Sequence, residues 1–186
     1  MGKKLITGGV RALFPHLFKP HAMDDNETKK YSVIALIDKS DLKTVDSIKA
    51  AIDSEIWKRW GGRAGNLNIQ SPLHDGDGFK PNSNTPYGSD FHGCYFLTAK
   101  STEAPGVVDA NLNPITDQKA ISNNDVLRLS IELYPYDRSG RRGVYVELLN
   151  VQQVSKGGGP KPKPTAAEDF GAVEIESETE TEDFLQ

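Results

Sequence analysis

The chain is poor in cysteine: Cys94 is the only one in 186 residues. No disulfide can close within it, and a reducing cytoplasm is the expected compartment. Long apolar runs are also missing. Nothing approaches the roughly 20 consecutive apolar residues of a membrane-spanning helix, and the N-terminus reaches Arg11 and Pro15 without the apolar core of a secretory signal. No membrane partner is expected. Gly61-Gly62-Arg63-Ala64-Gly65 lacks the Gly-Lys-Ser/Thr ending of a phosphate-binding loop, which argues against nucleotide hydrolysis. Residues 166–186 contain no Lys or Arg but eight acids. Of the 26 acids in the chain, 18 therefore remain against all 22 Lys and Arg, so a body of about +4 is hidden beneath a net charge of −4. Such a body attracts polyanions, while the acidic end can shield it or engage a basic partner.

The length suits one folded domain with extensions. Its boundary is marked by Lys156 to Pro164, where three glycines precede three alternating prolines, a segment unable to continue a helix or central strand. Residues 1–155 are accordingly expected to fold, and 156–186 to form a Gly/Pro linker and a disordered acidic tail. The tail ends in Asp183-Phe184-Leu185, and a pure solubiliser has no use for Phe184, so these three residues are the expected partner-docking motif. Within the body, Ser40 or Asp41 can cap a helix in which Leu42, Val45, Ile48, Ile52 and Ile56 share a face, ending near Trp60 before Gly61-Gly62. Tyr31 to Ile37 reads as a strand buried on both faces. Arg128 to Tyr134 and Val144 to Leu149 alternate as strands with one face to bury. Tyr136 to Gly143 reads as a hairpin tip, Tyr95 to Ala99 and Val107 to Ala110 as further strands, and residues 61–93 as a long loop region. The fold class is thus mainly β with one major helix, and an OB-fold-like β-barrel with long loops is the most economical arrangement.

A surface for a single nucleic-acid strand needs cations along the backbone path and flat rings for the bases. Arg11, Phe14, His16, Phe18 and Lys19 fall close together, Lys30-Tyr31 opens a strand, and Tyr134, Tyr136, Arg138, Arg141, Arg142 and Tyr145 cluster on the hairpin, with Arg128 on the same strand as Tyr134. Phe14, Phe18 and Phe96 fit a core as well as a stacking surface. The three tip arginines point to phosphate, since a hairpin tip has no packing need for three guanidinium groups. A rival reading takes His74-Asp75-Gly76-Asp77, with Asp90 and His92, as a metal site for phosphodiester cleavage. Asp-Gly-Asp-Gly is also what a turn requires, and the later acid of a calcium loop is missing. A third reading is a protein-interaction module. Cys94, preceding an apolar strand, reads as a small buried residue. No catalytic residue, cofactor or metal is expected.

Gly9-Val10-Arg11-Ala12-Leu13-Phe14-Pro15-His16-Leu17-Phe18-Lys19-Pro20, Lys30-Tyr31-Ser32, Asp75-Gly76-Asp77, and Tyr134-Pro135-Tyr136-Asp137 followed by Gly140 and Gly143 are together similar to phage-encoded single-stranded DNA-binding proteins once grouped as a family of unknown function, DUF2815. The likeness spans nearly all of residues 5–155. It implies an OB-fold, single-stranded DNA as partner, a role in phage replication or recombination, and the host bacterial cytoplasm as location. The tail resembles in character those that recruit replication proteins in bacterial and phage single-strand binders, although here Leu185 and Gln186 follow Phe184.

Overall fold

The computed structural model describes residues 2–22, 27–81 and 83–157. Strand β3 (Lys30–Asp38) pairs antiparallel with β2 (Val10–His21) on one side and with β6 (Cys94–Ser101) on the other. Strands β8 (Val126–Arg138) and β9 (Arg141–Ser155) form a long hairpin. β8 also pairs with β2 through Val10↔Leu127, and β9 meets β6 through Lys100↔Glu147. The pairings thus run β2–β3–β6–β9–β8 and return to β2, a ring of five strands. This is the mainly-β, OB-like arrangement expected from the strand pattern. Short strands decorate the ring: β1 (Lys3–Ile6) on β8, β4 (Ile69–Gln70) and β7 (Gly106–Val108) on β9, and β5 (His74–Asp75) on β6.

Alternation builds the core. Leu127, Leu129, Ile131 and Leu133 of β8 are fully buried against Val144, Val146 and Leu148 of β9, Val33, Ala35 and Ile37 of β3, and Leu97 and Ala99 of β6. Helix α1 (Leu42–Trp60) packs against β1, β8 and β9 and adds Val45, Ile48, Ala51 and Ile52 to the same cluster. Its ends follow the expected chemistry: the Asp41 carboxylate accepts from the Thr44 N–H at 3.2 Å, and Gly61, at φ 53°, donates its N–H to the Trp57 carbonyl. The buried stripe differs at its start, where Leu42 is exposed and Thr44 is buried. Gly8 explains this, because a Cβ there would lie 2.4 Å from the Thr44 hydroxyl. That close backbone approach turns Thr44 inward and leaves Leu42, two residues back, on the opposite side.

Two further differences matter for the site. The expected tip over residues 136–143 is a two-residue turn: the ladder continues to Arg138↔Arg141, with Ser139 at φ 51° and Gly140 at φ 79°. Positive φ at both positions matches the twist of the flanking strands. In addition, β2 carries Pro15 and Pro20, which conceal it as a strand in the sequence. The ladder accommodates them by register shifts between Leu13 and His16 and between His16 and His21. β9 ends at Ser155; the linker and tail beyond Gly157, with Asp183, Phe184 and Leu185, lie outside the described residues.

Candidate nucleic-acid interface

The apolar run of β3 serves two layers. Val33, Ala35 and Ile37 face the main core, while Leu36 joins a second cluster on the outer face with Leu13, Cys94 and Phe96, packed against Ile34, Tyr87 and Phe91. Register makes this outer face a grid across β2, β3 and β6. Arg11 lies beside Leu36 and Phe96, Leu13 beside Ile34 and Thr98, His16 beside Ser32 and Lys100, and His21 beside Lys30. The grid runs from apolar to basic. Tyr87 and Phe91 from the long loop cover the apolar end, and their rings pack on Phe96 at 4.8 and 4.7 Å between centroids.

The other end is an open groove of about 600 Å³ whose lining includes Phe14, His16, His21, Lys30, Ser32, Thr98 and Lys100. Phe14 sits in the left-handed region at φ 47°, its N–H donates to the Asn123 side-chain oxygen at 2.7 Å, and its ring is 55% exposed. An apolar ring displayed on a strained, anchored bulge is unusual for a residue with no ligand to meet. His16 and His21 stack at 4.4 Å with planes 19° apart. Burial, and then the neighbouring His21, hold His16 below the ordinary imidazole value. At the far wall Lys30 Nζ lies 5.3 Å from the centroid of the Tyr145 ring, and the Tyr145 hydroxyl donates to the Lys100 carbonyl at 3.1 Å. Burial, and secondly Glu147, raise the Tyr145 phenol above its ordinary value.

The structure therefore places Phe14 and Lys30 in one groove, with Tyr145 against Lys30 and Tyr134 directly across the ladder from Tyr145. It does not gather the other candidates into this groove. Phe18 packs against the main core, and Tyr31 is half-buried opposite Ser101. Arg11 donates to Asn124 at 3.2 Å and to the Cys94 sulfur at 3.4 Å, tying β2 to the loop before β8 and to β6. Arg128 is exposed beside Gln152. Tyr136 reaches Gln70 at 3.4 Å, Arg138 and Arg141 are exposed at the turn, and Arg142 Nε donates to Asp137 at 2.9 Å. Here glycine is needed at 143, where a Cβ would stand 2.7 Å from the Tyr136 hydroxyl and 2.9 Å from the Gln70 carbonyl. Lys100, Thr98 and His21 were missed from sequence. The available signal was polar residues at alternate positions of β6, where Cys94 and Phe96 give way to Thr98 and Lys100.

The Asp75 and Asp77 carboxylates are engaged otherwise than the metal reading expects. Lys39 Nζ lies 2.6 Å from Asp75 and 2.7 Å from Asp77, and Asp77 also accepts from the Gly93 N–H at 3.0 Å. The lysine, and then the backbone N–H groups, hold both carboxyls below their ordinary range. Among the described residues no three His, Cys, Asp or Glu side chains converge on a possible cation site, and no helix is long and apolar enough to cross a membrane.

The profile of the Enterobacter phage Enc34 single-stranded DNA-binding protein family matches residues 3–185. The chain belongs to that family. Within the wider set of similar proteins, putative protein p50 of Acyrthosiphon pisum secondary endosymbiont phage 1 is 30% identical over 158 residues, covering 80% of this chain and 82% of the relative. The solved structure of the Enc34 protein in complex with single-stranded DNA superposes with a TM-score of 0.69 at 18% identity, over 83% of this chain and 88% of that one. Gp2.5, a single-stranded DNA-binding protein encoded by bacteriophage T7, superposes with a TM-score of 0.59 at 16% identity, over 87% and 96%. At these identities the superpositions establish a shared OB-like fold, and membership of the Enc34 family rests on the profile.

Proposed function

We propose that this chain binds single-stranded DNA without reading its sequence, in phage DNA replication or recombination, and that its role is non-catalytic. The observation that carries the reading is the groove in which Phe14 stands exposed between Lys30, Lys100 and the stacked imidazoles of His16 and His21. Bases stack on Phe14 and on the histidine pair, and the lysines neutralise phosphates. Stacking tolerates every base because every base has a flat face. Tyr134, Tyr145 and the hairpin arginines Arg138, Arg141 and Arg142 extend the contact surface, and membership of the Enc34 family supports the same ligand. The acidic residues of 166–186 compete with DNA for the basic surface, and Asp183, Phe184 and Leu185 dock replication or recombination proteins.

The test is fluorescence anisotropy of labelled oligo-dT and of a matched duplex at two salt concentrations, with no divalent metal. Tight binding of the single strand that weakens steeply with salt is the expected result, because bound lysines and arginines release counterions. Absence of binding at low salt overturns the reading. Deleting residues 166–186 should tighten DNA binding at low salt; unchanged affinity would remove the competing role of the tail.

A further inference from the structure

The motif Gly61-Gly62-Arg63-Ala64-Gly65 forms a 3-10 turn, Gly61–Asn66, directly after α1. Parallel pairing of β4 with β9 at Ile69↔Arg142 holds the chain that follows the turn against the hairpin. Between them lies a cleft of about 280 Å³ lined by Arg59, Trp60, Arg63, Leu67, Asp137 and Arg142. Its charge is unbalanced. Three guanidinium groups face one carboxylate, and Asp137 is already engaged by Arg142 Nε at 2.9 Å. Arg59 and Arg63 are exposed and make no ion pair among the described residues.

A favourable position at the helix C-terminus accounts for Arg59 but not for the convergence of Arg63 and Arg142 on the same cleft. Trp60, buried to 6% exposure, gives the cleft an aromatic wall. Gly62 and Gly65 have no atom within 4 Å of where a Cβ would stand, so the turn leaves its backbone open to a ligand. Planar forks of five donors each suit phosphate oxygens, and unpaired guanidinium groups meet them without first breaking an internal ion pair.

The cleft is linked to the groove through neighbouring residues, with Tyr87 and Phe91 covering Phe96 between them. Thr98 lines the groove, and Phe96, two residues back on the same face of β6, meets the His74 ring at 5.2 Å. His74 lines a second depression of about 480 Å³ together with Gln70, Tyr136 and Val144. Arg142, two residues from Val144 along β9, then opens the arginine cleft.

We infer that Arg59 and Arg63, beside the Asp137-paired Arg142, form a second phosphate site, which grips the backbone of the same single strand after it leaves the groove, passes over the Tyr87 and Phe91 cover and reaches the Tyr136 depression. This rests on the proposed single-strand function and extends it to residues outside the groove.

The experiment compares wild type, R59A/R63A and K30A/K100A by anisotropy against oligo-dT of graded length over a salt series, with thermal melts confirming that each variant folds. R59A/R63A should bind the shortest oligonucleotides as wild type does. It should bind the longer ones several-fold more weakly, with a log–log salt slope shallower by about 1.4, at about 0.7 per phosphate contact on single strands. K30A/K100A should weaken binding at every length. Wild-type affinity and slope for R59A/R63A at all lengths, with K30A/K100A impaired, would overturn the second site and leave the groove standing. Loss of poly-glutamate binding with DNA binding intact would assign the cleft to an acidic protein segment and likewise overturn it. Failure of the wild type to bind any length at low salt would sink both readings.

Discussion

The backbone N–H of Phe14 is held by the side-chain oxygen of Asn123 at 2.7 Å, across 109 positions of sequence. The loop before β8 thus fixes a left-handed residue in the middle of β2 and aims its ring at the groove. A left-handed conformation costs a side-chain-bearing residue about 1–2 kcal/mol, and glycine avoids that cost. F14G should therefore keep or raise the melting temperature while losing about 1–3 kcal/mol of stacking, roughly 5- to 150-fold in affinity for oligo-dT. N123A, which releases the anchor but keeps the ring, should lose less. A melting temperature that falls with affinity in F14G would mean that the ring supports the fold rather than the ligand.

Binding should strengthen on acidification. His16 is held below 6.5 by burial and by His21, so the free folded protein resists its protonation and loses stability as pH falls through the ordinary imidazole range. A bound polyanion favours the same protonation. Oligo-dT affinity should therefore rise between about pH 7.5 and 5.5 as a positive charge joins Lys30 and Lys100 in a groove that Glu27 also lines. H16Q should flatten this dependence; an unchanged pH profile in H16Q would place the titrating group elsewhere.

The Lys39 clamp on Asp75 and Asp77 makes an acid-sensitive contribution to stability. Both carboxyls lie below their ordinary value of 3.8 when folded, so the contribution is present above that value and is lost as pH falls through the lowered ones. Wild type should melt above K39M at neutral pH, and the gap should narrow as pH falls below 3.8 through the lowered carboxyl values. A gap that does not change with pH would mean that Lys39 contributes by packing alone.

Asp125, 1% exposed, accepts from the N–H groups of Ser122 and Gly157 and from the Gln153 amide, fastening the chain where it leaves β9. D125A leaves these donors without their acceptor and should cost about 1–3 kcal/mol, read as a lower urea midpoint with an unchanged slope. An unchanged midpoint would show that water replaces the carboxylate.

Local chemistry was legible wherever a pattern answers only to its neighbours. The Asp41 cap, the Gly61 stop and the alternation of Leu129, Ile131 and Leu133 depend on contacts a few residues away or on the two-residue period of a strand, so they are written into the chain order. The acidic end, the lone cysteine and the basic body are likewise compositional facts. Reading Tyr31 to Ile37 as buried on both faces held only for its later part, Ala35 to Ile37; Tyr31, Ser32 and Ile34 are half-buried, and Ser32 and Ile34 line the open groove, because the cover from Tyr87 and Phe91 reaches only one end of the sheet face.

Pairing register decided the site. The groove exists because His16, Ser32 and Lys100 fall in one row, and no local pattern specifies which residues of β2, β3 and β6 stand side by side. The same holds for the neighbours that took Phe18 into the core, gave Arg11 to Asn124 and Cys94, and brought Arg59 and Arg63 from the end of a helix to Arg142 on a hairpin. By itself the sequence determined which residues could be buried, stacked or charged. Only the closed ring of strands decided which of them meet, because its register is a cooperative choice among contacts far apart in the chain.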